Sequence, residues 1–260
     1  MQLAHRVALN GVQLDEIDPR IIIKGIEEGA GKESVGSVSL GSFDGTRIAG
    51  RKRRDTVDVQ VRFGLNIRRD QLQDRSDIFE AVNAWAVGGG YLTVNYKAGR
   101  RLYCDEVTVP GAGDQWKRTN EYTITFRAHA IPYWQQDPAQ SVQTGTGTSG
   151  SGAILAAGSA RTVCDAELKN MSGANIASAT ITVNGHIMSF SDLGLAANEA
   201  LMISHDDRGV LSIKIGTRSV MAKRSDGSAD DLCADPGNNG FSFSAQRACR
   251  LTVSCRGRYA

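Results

Sequence analysis

Twelve residues, Thr56 to Ile67, constrain the fold of this chain more than any other stretch. Val57, Val59, Val61, Phe63, Leu65 and Ile67 fall on one side of an extended backbone, and Thr56, Asp58, Gln60, Arg62 and Asn66 on the other. Side chains alternate across a strand with a period of two. The segment therefore reads as a half-buried strand of an antiparallel sheet, packed on one face and wet on the other.

A helix is expected next, over Gln71–Val87. Leu72, Arg75, Ile78, Phe79, Val82, Trp85 and Ala86 mark one face at helical spacing, with Arg75 as the exception in an apolar stripe. Asp70 or Asp74 is placed to cap its start. Gly88-Gly89-Gly90 ends it, because glycine accepts the left-handed conformation that terminates helices. Strands are expected at Tyr91–Tyr96, Leu102–Val109 and Thr119–Ala130, with a tight turn at Ala98-Gly99-Arg100 and a loop at Pro110–Asp114. The last of these strands carries Tyr122, Ile124, Phe126 and Ala128 on one side. Upstream, Ile21-Ile22-Ile23 and the alternation of Val38 and Leu40 into Phe43 give two further strands before the loop that holds Arg51-Lys52-Arg53-Arg54.

Composition changes after Gln135. The stretch to Gly152 contains Thr-Gly-Thr-Gly-Thr-Ser-Gly-Ser-Gly and no large apolar residue after Val142. It reads as linker, which divides the chain into domains 1–138 and 139–260. The second domain reads as short strands between turns: Ala179–Val183 and Ile187–Phe190 joined by Asn184-Gly185, then Ala200–Ser204, Val210–Ile215, a strand around Met221, Phe241–Phe243 and Leu251–Cys255. Pro236-Gly237-Asn238-Asn239-Gly240 is expected to be a turn. Regular short strands of this kind argue for a β-sandwich.

At 260 residues with 41% hydrophobic content, either domain can bury a core. The net charge is +2, with 19 basic and 17 acidic residues up to Gln135 and 11 of each beyond it. Neither half has the one-signed excess of a specific nucleic-acid binder. No apolar run approaches the length of a membrane span, and the start Met-Gln-Leu-Ala-His-Arg lacks the pattern of a signal peptide, so folding in a cytoplasm is expected. Cys104, Cys164, Cys233, Cys249 and Cys255 are odd in number and contain no Cys-x-x-Cys pair. They are read as core thiols rather than metal ligands or a disulfide framework.

The order of these pieces resembles the distal tail proteins of long-tailed, non-contractile bacteriophages. The residues that carry the resemblance are Arg53-Arg54-Asp55 leading into Thr56–Ile67, the helix with Ile78, Trp85 and its glycines, and Arg101-Leu102-Tyr103-Cys104. They continue with Trp116, Glu121-Tyr122-Thr123-Ile124-Thr125-Phe126 and Pro132-Tyr133-Trp134. In the second half they are the Asn184-Gly185 hairpin, Gly237-Asn238-Asn239 and the closing Arg256-Gly257-Arg258-Tyr259. The resemblance covers nearly the whole chain. It implies a mainly β protein, with an N-terminal β-sandwich belt domain carrying one α-helix and a C-terminal galectin-like β-sandwich. It also implies a virion protein: a homohexameric ring at the tail tip, assembled in the host cytoplasm. Its partners would be further copies of itself, the tail tube protein, and tip, baseplate hub or fibre proteins, with a weak contact to host glycan.

Site candidates read plainly. The basic run Arg51–Arg54 has no interleaved aromatics and is taken as a solvated loop or a contact with an acidic neighbouring subunit, rather than a phosphate site. His5, His129, His186 and His205 are scattered, and no Gly-x-Ser-x-Gly elbow is present. Asp105-Glu106, Asp206-Asp207 and Asp230-Asp231 are adjacent pairs, which point to opposite faces in a strand and to solvent in a turn, not across a cleft. His205-Asp206-Asp207 lacks the spaced carboxylates of a calcium loop. Trp116, Tyr133 and Trp134 suit either a sugar platform or packing, and packing is favoured. No residue is assigned to catalysis, to a cofactor or to a metal. The expectation is a non-enzymatic structural protein, with a carbohydrate-binding tail protein and a tail-associated hydrolase as the rivals.

Overall fold

The alternation around Val59 becomes the strand Arg53–Leu65, in which Val57, Val59, Val61 and Phe63 are fully buried and Leu65 nearly so. Ile67 lies beyond its end and is half-buried. The computed structural model describes residues 5–29, 31–34, 37–39, 46–48, 53–68, 70–111 and 120–260. The chain is mainly β and separates into two compact units, Met1–Trp134 and Gln135–Ala260.

In the first unit, Arg53–Leu65 runs antiparallel to Ile21–Glu28 on one flank and to Glu121–Ala128 on the other, and Lys32–Ser34 pairs with its first residues. Most of its main-chain groups therefore find partners inside the sheet. Register puts Phe63 opposite Tyr122, Val61 opposite Ile124 and Val59 opposite Phe126, so the apolar sides of both strands share one face. Helix Leu72–Ala86 covers that face. The Phe79 ring meets Tyr122 edge-on at 4.7 Å, and Trp85 meets Phe126 edge-on at 5.9 Å. Each large side chain buried here contributes about 1.5–3 kcal/mol.

The helical stripe needs correction at both kinds of residue. Leu72 is exposed, whereas Arg75 is completely buried. Its guanidinium donates to the Tyr122 hydroxyl at 2.9 Å and to Asn120 Oδ1 at 2.7 Å, which is how a charge is tolerated under the helix. Neither Asp70 nor Asp74 caps the helix. Gln71 stands at the N-cap without a side-chain capping bond, its Oε1 accepting the Arg68 N–H instead, and Asp74 is drawn to the Arg20 guanidinium at 3.0 Å. The glycine stop holds: Gly88 and Gly89 have φ of +83° and +65°, and a Cβ on Gly89 would collide with the Cys104 carbonyl oxygen.

A second sheet of the first unit runs Val12–Gln13, Val7–Leu9, Gly90–Val94, Arg100–Cys104 in spatial order. The strand expected over Leu102–Val109 is two strands. Arg100–Cys104 belongs to this sheet, and Glu106–Thr108 pairs with Glu121–Ala128 in the other. Asp105 makes the changeover, because its carboxylate accepts the N–H groups of His129 and Ala130 at 2.9 and 3.3 Å. Upstream, Ser37–Ser39 pairs with Thr46–Ile48, while Leu40 and Phe43 lie outside the described residues.

The second unit is built on one strand of 19 residues, Gly237–Cys255. Its first half pairs with Gly147–Ala156 and Ala179–Val183; its second half pairs with Gln140–Gln143 and Thr162–Asn170. Phe241–Phe243 and Leu251–Cys255 are thus one element, and the turn expected at 236–240 is already strand from Gly237. Asn239 makes this compatible with burial. Its side chain donates to the carbonyls of Asp235 and Gly237 and accepts the Asp235 N–H, so its polar atoms are satisfied inside. Asn184-Gly185 does form a tight hairpin turn, with φ of +48° and +78°. Met221 lies in a short 3₁₀ turn, Met221–Lys223, rather than a strand.

The segment read as linker is also a correction. Gly147–Ala156 is a ten-residue strand, and Gln140–Gln143 another. Gly150 stands opposite Phe243 and Gly152 opposite Phe241. A Cβ on these glycines would lie 2.7 and 2.5 Å from the respective rings. The glycines have no side chain to pack, and the rings from the partner strand cover their backbone instead. The apolar surface missing from the Gly/Thr/Ser run is supplied across the ladder.

Gly152→Val is expected to lower stability by about 1–3 kcal/mol, since the Phe241 ring has nowhere equally good to go. Urea unfolding of this variant beside Gly111→Ala, where a Cβ meets nothing within 4 Å, checks it. Equal midpoints for both variants would count against the ring-over-glycine packing.

Candidate functional site

His205, the last residue of Ala200–His205, sits between two carboxylates. Nδ1 lies 2.8 Å from Asp165 Oδ1 and Nε2 lies 3.0 Å from Asp231 Oδ1, and the His205 N–H also donates to Asp165. Only 5% of the His205 side chain is exposed, against 48% for Asp165 and 37% for Asp231. Strand pairing positions the group: Ala166 lies opposite Ile203, which brings Asp165 beside His205. Burial by itself lowers the imidazole pKa, but the hydrogen bonds and charges of Asp165 and Asp231 outweigh it, so the net shift is upward. Both ring nitrogens donating to carboxylates describes an imidazolium held as a tie between two elements.

A second cluster lies in the first unit. Arg127 donates to Glu106 at 2.8 Å and lies 3.6 Å from Asp58, while His129 Nε2 is 3.0 Å from Glu106. Hydrogen bonding from His129, and after it the charge of Arg127, holds the Glu106 carboxyl below its ordinary value. All four side chains are substantially exposed, so the cluster is worth little to stability.

The remaining candidates fall as follows. Trp134 is completely buried: its Nε1–H donates to Glu28 at 2.8 Å, and the Lys97 ammonium lies 4.6 Å from its ring centroid while pairing with Glu28 at 2.5 Å. It is packing, as favoured. Tyr133 faces the Arg54 guanidinium at 5.6 Å, so one member of the basic run rests on an aromatic ring. Arg51, Lys52 and Trp116 lie outside the described residues. Asp206 accepts the N–H groups of Arg208 and Val210, which makes 205–210 a turn and separates Asp206 from the carboxylates that hold His205. His5 is exposed. Cys104, Cys164, Cys249 and Cys255 are buried and Cys233 half-buried, all as free thiols. Burial pushes the Cys104 thiol up, and that of Cys249 up to about 11. Among the described residues, no three His, Cys, Asp or Glu side chains are grouped to hold a metal ion, and no helix is long and apolar enough to cross a membrane.

Sequence reasoning missed the His205 tie, because Asp165 and Asp231 are 40 and 26 residues away from it. The alternation of Cys164, Ala166 and Leu168 was the available signal. It makes Thr162–Asn170 a strand and puts Asp165 on its outer face.

No protein-family model matches the chain, and no curated protein matches it. Solved structures do. The crystal structure of the Dit protein of phage SPP1, described as a paradigm of the hub adsorption apparatus in phages infecting Gram-positive bacteria, aligns over 99% of this chain and 100% of its own, with a TM-score of 0.69 at 13% identity. The chain has the fold of that hub protein. Chains of the phage P2 baseplate in its activated conformation, with calcium or with strontium, align over 97–98% of both partners at 8% identity, with TM-scores of 0.46 and 0.47.

The raised pKa of His205 gives a stability contribution that is complete below the unfolded value near 6.5 and is lost as pH rises through the higher folded value. The difference in unfolding free energy between the wild type and His205→Gln should be largest at about pH 5.5 and shrink above pH 6.5. Urea titrations across that range check it; a difference that grows with pH would mean that the fold holds the neutral ring.

Proposed function

We propose that the protein is a non-enzymatic structural component of a phage tail tip, in which identical copies close into a hexameric ring joining the tail tube to the tip or baseplate. The observation that carries this reading is the fold match to the SPP1 hub protein, which runs through both units and from one end of the chain to the other. A fold does not fix a function, so the side chains must fit as well.

They fit a scaffold. One acid of each pair considered for hydrolysis is engaged in structural work: Asp105 binds two main-chain amides, Asp206 closes a turn, and Asp231 holds His205. The first unit also offers material for a self-contact. Glu106–Thr108 and Ile21–Glu28 are the outer strands of their sheet, and Ile22, Leu72 and Val87 are large apolar residues left exposed. Ring closure uses two different patches, one on each side of the protomer, so that a head-to-tail contact repeats until it meets itself. Unpaired strand edges and exposed apolar side chains are the surfaces that such a contact covers.

Light scattering and negative-stain imaging of the purified protein test the reading. A closed ring is expected, either by itself or after mixing with tail-tube protein. A particle that stays monomeric in both conditions would remove the main support, and degradation of purified cell wall would contradict the non-enzymatic part.

A further inference from the structure

Cys164 and Cys255 stand directly opposite one another in neighbouring antiparallel strands, Thr162–Asn170 and Gly237–Cys255. Both are buried, with Ala166, Leu168, Leu251 and Val253 continuing the same face. The type of cross-strand pair follows from where the main chain points. The Cys164 N–H donates to the Leu232 carbonyl at 2.7 Å, on the flank away from Gly237–Cys255. Cys255 likewise lies opposite Gln140 on its other flank, and the Leu251 N–H and carbonyl, in phase with Cys255, both bond Thr144 on that flank. Cys164 and Cys255 therefore form a non-hydrogen-bonded pair. In such pairs the Cα atoms come to about 4.5 Å and the side chains are at their closest. Disulfides bridge Cα separations of about 4.4–6.8 Å, so the backbone needs little adjustment.

We propose that Cys164 and Cys255 are a reversible dithiol–disulfide site that fastens the end of the Gly237–Cys255 strand to Thr162–Asn170 under oxidising conditions. This is independent of the tail-tip reading. Cys255 is the last residue of its strand, where local opening admits a small oxidant, so it takes the attacking role and Cys164 the resolving one.

With hydrogen peroxide the balance is complete. The Cys255 thiolate attacks one peroxide oxygen, the O–O bond breaks, and with one proton water leaves, giving a sulfenic acid. Cys164 sulfur then attacks Cys255 sulfur, the S–O bond breaks, and the Cys164 proton leaves with the hydroxyl as a second water. Two thiols are oxidised to one disulfide, and one peroxide is reduced to two waters.

The other cysteines supply controls. Cys233 lies opposite Val163, one residue out of phase with Cys164, and Cys249 lies opposite Asn170 and Gly147. Neither faces a cysteine across a ladder.

The test treats the full chain with hydrogen peroxide, then unfolds it and alkylates free thiols with N-ethylmaleimide. The count of alkylated cysteines should fall from five to three, and digestion should yield one peptide pair linked through Cys164 and Cys255. Dithiothreitol should restore all five. In Cys255→Ser, Cys164 should remain alkylated. The half-exposed Met171, Met202 and Met221 report that the dose was sufficient. Five alkylated cysteines at a dose that converts these methionines to sulfoxide would overturn the proposal. So would a linked pair containing Cys104, Cys233 or Cys249.

Discussion

A strand in the middle of a sheet must have its N–H and C=O groups paired on both flanks, and each unit meets that demand around one long strand. In the first unit, Arg53–Leu65 is held by Ile21–Glu28, Lys32–Ser34 and Glu121–Ala128. In the second, Gly237–Cys255 has four partners spread along its 19 residues. A slip of one residue at either spine would turn every buried side chain outward. At Gly237–Cys255 the slip would expose Phe241, Phe243, Cys249, Leu251, Val253 and Cys255 together, which the side-chain burial makes too costly to occur.

What could be read from the sequence was local. The alternation of Val57, Val59, Val61 and Phe63, the glycine stop after Ala86 and the hairpin at Asn184-Gly185 each depend on residues adjacent in the chain, and each is found in the fold. What could not be read depends on partners supplied from elsewhere. Gly147–Ala156 has little side-chain surface of its own, so its composition resembles a flexible tether. The rings of Phe241 and Phe243 convert it into a packed strand from about ninety residues away. Arg75 broke the apolar stripe of its helix for the same reason, since its compensation by Asn120 and Tyr122 is 45 and 47 residues distant.

The same distance dependence governs the polar clusters. Trp134 is packing, as the sequence reading favours, but the partners that hold it could not be read locally: its indole N–H is answered by Glu28 and its ring by Lys97. His205 looked like part of an acidic turn with Asp206 and Asp207, yet its partners are Asp165 and Asp231. Adjacency in the sequence is a poor guide to polar pairing in a β-protein, because neighbours along a strand face opposite sides and the productive contacts run across the ladder.

This bears on what the molecule is for. A catalytic centre needs titratable groups whose shifted pKa values leave them free to exchange protons with a substrate. The upward shift at His205 comes from two carboxylates that already occupy both ring nitrogens, and the downward shift at Glu106 comes from His129 and Arg127 beside it. In each case the perturbing partner is also the group that consumes the side chain. At His205 the shift accompanies a buried tie between elements, and at Glu106 it reflects exposed ion pairs that add little to stability. With these side chains turned inward or toward one another, the outer strands and the exposed apolar residues remain available for contacts with other molecules. That division of labour supports reading the chain as a structural part of a larger assembly, as proposed above.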